Sequence, residues 1–166
     1  YPGNVGLIGR FSQPQLRATT RKSFFELLGC NEDTIAAHPL VNKFNKVDNF
    51  LRFANGSEIF FRHLDAPSDL LSLNLGWFYV DQAEEISENI FLILQSRLRL
   101  EDVPLRQGFL TGNPEGHNWS WRRFIHDNNP EYHMVQATSL ENPYLPQDYV
   151  PMLLRSYPEV WVRRYV

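Results

Sequence analysis

The chain has 166 residues, 43% hydrophobic and 21% charged, which is enough to bury one core and excludes a disordered, collagen-like or coiled-coil chain. Its net charge of -3 excludes a general basic coating for nucleic acid, so any DNA contact must be local. A single cysteine, Cys30, excludes an internal disulfide and a cysteine-built metal site, and apolar runs such as Val150-Pro-Met-Leu-Leu154 fall far below the roughly 20 residues of a membrane span.

Tyr1-Pro-Gly-Asn-Val5 has no Met and no basic region, and predicts neither a signal peptide nor a natural start. Val5 to Arg10 reads as a buried strand. Ser12 then opens a helix as N-cap, with Gln15 completing a capping box and Pro14 tolerated in the first turn. Leu16, Thr20, Phe24, Leu27 and Leu28 are expected on its inner face, with Gly29 as the stop. Asn31 to Lys46 reads as mixed and turn-rich. Phe50-Leu-Arg-Phe53 and Glu58-Ile-Phe-Phe-Arg62 flank Asn55-Gly56 and predict a hairpin, because both turn residues tolerate positive φ. Asp65 to Leu73 reads as a loop with a helical turn.

Gly76-Trp-Phe-Tyr-Val80 is a continuous apolar strand that ends in Asp81. Ser87 caps a second amphipathic helix running to Arg99, with Ile90, Phe91, Leu94 and Leu98 inward. Gly108 to Thr111 is another short strand, Trp119 to Ile125 reads as helix, Tyr132 to Ala137 alternates like a strand, and Pro146 and Pro158 sit where helices start. Apolar strands alternating with amphipathic helices predict an α/β layered fold with a mainly parallel sheet. Ligands in such sheets bind beyond the carboxyl ends of the strands, which directs attention to Arg10-Phe-Ser12, Asp81 and Thr111-Gly-Asn-Pro114.

Trp77-Phe-Tyr-Val-Asp-Gln-Ala-Glu-Glu85 carries the pattern of a Walker B strand. A nucleotide-bound Mg2+ requires a rigidly held carboxylate, here Asp81, and a second carboxylate polarises the attacking water, with Glu84 the first candidate and Glu85 the second. The same stretch is also read as a buried strand followed by an acidic helix start. Small polar residues after a strand, Thr111 and Asn113, reach a γ-phosphate or its water, or else form an ordinary Asn-Pro-Glu-Gly turn. Arg10 is a candidate to stack on a base or contact phosphate. Arg97 or Arg99 is a candidate arginine finger, or complements a helix dipole. Trp119-Ser-Trp-Arg-Arg123 interleaves aromatic and basic residues, as a nucleic-acid contact or as a solvated helix face. The five histidines show no paired metal-ligand spacing.

Together these stretches resemble the ATPase domain of phage and prophage terminase large subunits. The resemblance rests on Leu7-Ile-Gly-Arg-Phe11, Asn55-Gly-Ser-Glu-Ile-Phe-Phe-Arg62, Leu71-Ser-Leu-Asn-Leu-Gly-Trp77, Val80-Asp-Gln-Ala-Glu-Glu-Ile86, Gln95-Ser-Arg-Leu-Arg99, Thr111-Gly-Asn-Pro114, Ala137-Thr-Ser-Leu-Glu-Asn-Pro-Tyr-Leu-Pro146 and Trp161-Val-Arg-Arg-Tyr165. It implies a RecA-like P-loop NTPase fold of three layers with a mainly parallel sheet and a β-hairpin, incomplete at the N-terminus. Residues 1–145 would be a partial ATPase domain and 146–166 a helical exit segment toward a nuclease domain. It further implies ATP and Mg2+ as cofactors, Asp81 on the metal, Thr111 and Asn113 in the family's coupling motif, and Arg10 near the nucleotide. The implied partners are double-stranded DNA, a portal protein, a small terminase subunit and other copies in a ring, with no membrane. The implied location is the host bacterial cytoplasm, docked transiently on the procapsid.

Two features depart from the family. Gln82 stands where many relatives carry a glutamate, which moves the base to Glu84 or Glu85. No Gly-x-x-x-x-Gly-Lys-[Ser/Thr] loop is present, so truncation at both ends is expected and this piece is expected not to hydrolyse ATP efficiently. A catalytically inactive binding or assembly module is the alternative. A metal-dependent nuclease using Asp65, Asp81, Glu84 and Glu85 ranks last, because three of those acids share one short stretch.

Overall fold

A computed structural model describes residues 1–113 and 116–165. The chain forms two compact units, Tyr1–Gly112 and Asn113–Val166.

The first unit is built on a six-stranded sheet. Its strands are β1 (Val5–Arg10), β2 (Val41–Asn45), β3 (Phe50–Phe53), β4 (Glu58–His63), β5 (Trp77–Val80) and β6 (Gln107–Leu110), in the order β2-β3-β4-β1-β5-β6. β4, β1, β5 and β6 run parallel, whereas β2, β3 and β4 pair antiparallel. Side chains alternate across a strand. Ile8 and Phe61 therefore point to one face, where the helix that follows β1 packs, while Phe78 meets Phe91 of the helix Glu88–Ser96 on the other, at 6.5 Å between ring centroids. Helices on both faces of a mainly parallel sheet give the expected three-layer α/β arrangement.

Helix α1 comprises Gln13–Gln15, a π turn over Leu16–Thr20, and Arg21–Leu27. Ser12 caps it as expected, its Oγ accepting from the Gln15 amide at 3.4 Å and donating to Gln15 Oε1 at 2.8 Å. The π turn changes the inner face. The Arg21 amide reaches back five residues to Leu16 O, so the helix advances by one extra residue. Leu16, Thr20, Arg21 and Phe25 become buried, and Leu27, expected inward, is 86% exposed. Phe25 then sits at the centre of an aromatic cluster, edge-on to Phe24, Phe44 and Phe61 with centroids 6.0, 5.3 and 5.9 Å away. Such a side chain contributes about 1.5–3 kcal/mol by burial, and each ring pair about 0.5–1.5 kcal/mol more.

The segment expected to be turn-rich contains β2, a polar edge strand whose register shifts between Val41 and Lys43. Its sequence, Val-Asn-Lys-Phe-Asn, hides it: an edge strand needs few apolar residues, and lysine there discourages further pairing. The hairpin of β3 and β4 forms as expected, but with only Gly56 at positive φ (+83°) and Asn55 in the ordinary range. The loop holds three residues, closed by the Phe53 amide on Ser57 O at 2.8 Å. The helical turn expected between Asp65 and Leu73 lies at Pro67–Leu70. Helix α2 (Glu88–Ser96) starts at the expected cap, Ser87, and ends before the expected Arg99, with Arg97 as its C-cap.

The second unit contains α3 (Trp119–Trp121, continued by a π turn over Arg122–His126), α4 (Tyr149–Ser156) and α5 (Glu159–Tyr165). Asn118 caps α3, accepting from the Ser120 and Trp121 amides at 3.1 Å each. The strand expected over Tyr132 to Ala137 is not formed. Its alternation buries neither face, since Met134 is 52% and Val135 93% exposed. In the tip expected at Thr111-Gly-Asn-Pro114, Pro114 and Glu115 lie outside the described residues.

Candidate functional site

The parallel strands bring the ends of β1, β5 and β6 to one edge of the first unit. The Asp81 amide donates to Gly9 O at 2.9 Å and the Thr111 amide to Val80 O at 2.9 Å, so each ladder runs one residue past its strand. Asp81 and Thr111 are therefore fixed by backbone pairing before their side chains act.

Both Asp81 oxygens accept hydroxyls. Thr20 of α1 donates to Oδ2 at 2.6 Å, and Thr111 donates a longer bond to Oδ1 at 3.4 Å. Tyr79 OH lies 2.8 Å from Thr111 Oγ1, and either hydroxyl can be the donor. Burial pushes the Tyr79 phenol above its ordinary pKa, and Asp81 adds to this, against the Thr111 hydrogen bond and the Arg10 cation. Arg10, mostly buried, faces two acids: a terminal nitrogen lies 3.6 Å from Asp81 Oδ2, and Nε lies 3.7 Å from Glu85 Oε2. That same terminal nitrogen donates to Thr19 Oγ1 at 2.6 Å, and Thr19 passes its own proton to Gln15 O at 2.8 Å.

The chain leaves β5 through Gln82, whose φ of +56° and ψ of +60° are left-handed. A left-handed non-glycine residue costs about 1–2 kcal/mol, and such strain is concentrated at functional turns. It starts a short turn, Ala83–Glu85, anchored by the Ala83 amide on Thr111 O at 2.8 Å. The turn separates the two glutamates: Glu85 faces Arg10, and the Glu84 carboxylate lies against Gly112, where a Cβ would overlap Glu84 Oε2.

Of the residues singled out in the sequence, Arg10, Asp81, Glu85 and Thr111 thus form one connected cluster, and Glu84 lies beside its Thr111–Gly112 wall. Asn113 belongs to the second unit. Arg97 donates to Leu71 O at 2.6 Å and Arg99 to Asn74 Oδ1 at 2.5 Å, both before β5 begins, at the opposite end of that strand from Asp81. Among the described residues no three His, Cys, Asp or Glu side chains are grouped to hold a metal, so Asp65, Asp81, Glu84 and Glu85 do not make a nuclease-like cluster. One carboxylate with hydroxyl neighbours suits a Mg2+ that arrives on phosphates, because such an ion takes only one or two protein carboxylates and hard oxygen donors.

Sequence reading missed Thr19, Thr20, Tyr79 and Gly112. Only Thr20 carried a signal, as a polar residue on the expected inner face of α1. A cavity of about 570 Å3 in the first unit opens at the end of β4 between Asp48, Arg62, His63 and Asp69 and includes none of the cluster. One terminal nitrogen of Arg62 there donates to the carbonyls of Asp48, Asn49 and Phe61.

The family described as phage terminase large subunit matches residues 15–159 of the chain. The phage PBSX terminase large subunit of Bacillus subtilis (strain 168) is 30% identical, over 62% of this chain and 28% of its own length. The large terminase of a thermophilic bacteriophage superposes on the whole chain with a TM-score of 0.79 at 16% identity, over 40% of that structure, and its structures with ADP and ATP-γ-S give 0.75 and 0.73. The large terminase ATPase domain of Thermus phage P74-26 gives a TM-score of 0.67 at 18% identity, over 98% of this chain and 75% of that one. The fold is that of these ATPase domains, RecA-like, and the chain spans well under half the length of the relatives named first.

Proposed function

The chain belongs to the phage terminase large subunit family, and on that premise we propose that it is part of an ATP-hydrolysing motor that moves double-stranded viral DNA into a capsid. The observation that carries the proposal is the convergence of Arg10, Asp81, Glu85 and Thr111 at the carboxyl ends of adjacent parallel strands, where such sheets bind ligands. The nucleotides in the matched thermophilic phage terminase support ATP as the substrate class.

In this reading Asp81 would hold nucleotide-borne Mg2+ with Thr111 beside it. The ion would neutralise charge on the phosphates when bound. Glu84 orients the attacking water, with Glu85, turned to Arg10, as the second candidate. Arg10 keeps Glu85 and Asp81 at fixed places on either side of its guanidinium. Thr111 and Asn113 sense the γ-phosphate and pass its loss onward. The working assembly is a ring of copies on double-stranded DNA with the portal and a small subunit, docked on a procapsid in the bacterial cytoplasm.

The test is Glu84→Gln in the full-length polypeptide, with ATP turnover and ATP binding measured separately. Loss of turnover with binding retained is expected. Unchanged turnover removes Glu84 from the role, and a wild-type polypeptide with no turnover favours an inactive assembly module instead.

A further inference from the structure

The π turn in α1 lies at the carboxyl ends of the strands, where Thr20 meets Asp81. Thr20, at its end, and Arg21, just after it, are both buried, at 8% and 1% exposure. They serve different ends. Arg21 binds Asn49 Oδ1 and Glu32 Oε2, each at 2.6 Å, and holds the helix to the fold. Thr20 binds Asp81 Oδ2 at 2.6 Å, across 61 positions of sequence. Thr19, beside it, takes Arg10.

We propose that Thr20 is a positioning residue that sets the Asp81 carboxylate for divalent metal. The inference rests on the reading of Asp81 as the metal-side acid. A hydroxyl suits the task. It donates one proton to one oxygen, fixes the rotation of the carboxylate, and adds no charge to compete with a cation. Groups that orient a metal-binding carboxylate in this way are worth about 10–100-fold in metal affinity.

The experiment uses the full-length polypeptide with ADP present and Mn2+ as the probe, its binding followed by electron paramagnetic resonance. Thr20→Val keeps the shape and removes the hydroxyl, Thr20→Ser keeps the hydroxyl, and Asp81→Asn removes the charge. Expected are a loss of roughly tenfold or more in Mn2+ affinity for Thr20→Val, recovery by Thr20→Ser, and a matching rise in the Mg2+ needed for half-maximal turnover. Melting temperature should separate this from a packing defect, since Thr20→Ser disturbs packing and leaves affinity near wild type. If Thr20→Val does not fold, Thr20→Ala carries the same comparison. Wild-type Mn2+ affinity without the hydroxyl, alongside its loss in Asp81→Asn, overturns the role of Thr20 and leaves Asp81 standing. Wild-type affinity in Asp81→Asn overturns the reading of Asp81, and the role of Thr20 with it.

Discussion

Gly112 makes the sharpest prediction. Its φ is not in the left-handed range, so alanine is acceptable to the backbone itself. What excludes a methyl group is its neighbours: a Cβ would overlap Glu84 Oε2 and sit 3.2 Å from the Ala83 amide nitrogen. The carboxylate is the end of a flexible side chain, so it yields first, retreating by about 1 Å, a displacement that can cost roughly 100-fold in rate. That corresponds to about 2.7 kcal/mol of transition-state stabilisation. Folding should change little, since the reduced entropy of the unfolded alanine chain, about 0.4–1 kcal/mol, offsets the tight backbone contact. The assay is single-turnover ATP hydrolysis by Gly112→Ala in the full-length polypeptide, with a thermal melt as control. If the methyl group acts through Glu84, Glu84→Gln and the double variant share one residual rate. Wild-type turnover by Gly112→Ala, or a loss that adds in full to that of Glu84→Gln, refutes the reasoning.

Gln82→Val, a β-branched residue forced to positive φ, should cost about 1–2 kcal/mol in a urea titration, whereas Gln82→Gly should stay near wild type because relieved strain offsets added chain entropy. Phe25→Ala should cost about 3–5 kcal/mol by the same titration, since its ring is 1% exposed and central to the aromatic cluster. The Tyr79 phenol has a raised pKa in the fold, so the unfolded chain loses that proton first as pH rises. Its contribution is complete below the unfolded value of about 10 and is lost above it, so denaturation midpoints measured from pH 8 to 11 should fall less steeply at the alkaline end in Tyr79→Phe.

What the sequence revealed and what it concealed divide along physical lines. β1, β5 and the hairpin were legible because each is an apolar run ended by a turn residue or an acid. The place of Asp81 at the end of β5 was legible for the same reason, since it closes an apolar run. β2 was hidden because an edge strand needs no apolar alternation, and Tyr132 to Ala137 misled because alternation without a partner sheet makes no strand. The face of α1 was misread because a period of 3.6 residues assumes a regular helix, and nothing in Leu-Arg-Ala-Thr-Thr announces a π turn. The shift moved Leu27 out and Phe25 in, while Thr20, inward as expected, meets Asp81 across 61 positions of sequence. Contacts such as this one, fixed by tertiary structure, leave no local trace.

The arrangement around Asp81 answers a question that its composition raises. An arginine beside a carboxylate ordinarily makes paired hydrogen bonds to both oxygens and uses up its acceptor capacity. Arg10 does not, standing 3.6 Å from Asp81 Oδ2 and 3.7 Å from Glu85 Oε2. Thr19 accounts for the difference, because it accepts the Arg10 terminal nitrogen at 2.6 Å while its own proton is committed to Gln15 O. The guanidinium is held between the two acids without being surrendered to either. Asp81 therefore keeps lone pairs beyond those engaged by Thr20 and Thr111, since a carboxylate offers about four acceptor sites and these hydroxyls take two. Removing Thr19 as an acceptor, by Thr19→Val, should let Arg10 close on Asp81. That closure would be read as a shorter Arg10–Asp81 contact in a crystal structure and as weaker Mn2+ binding, and a variant in which the guanidinium stays in place would show that something other than Thr19 restrains it.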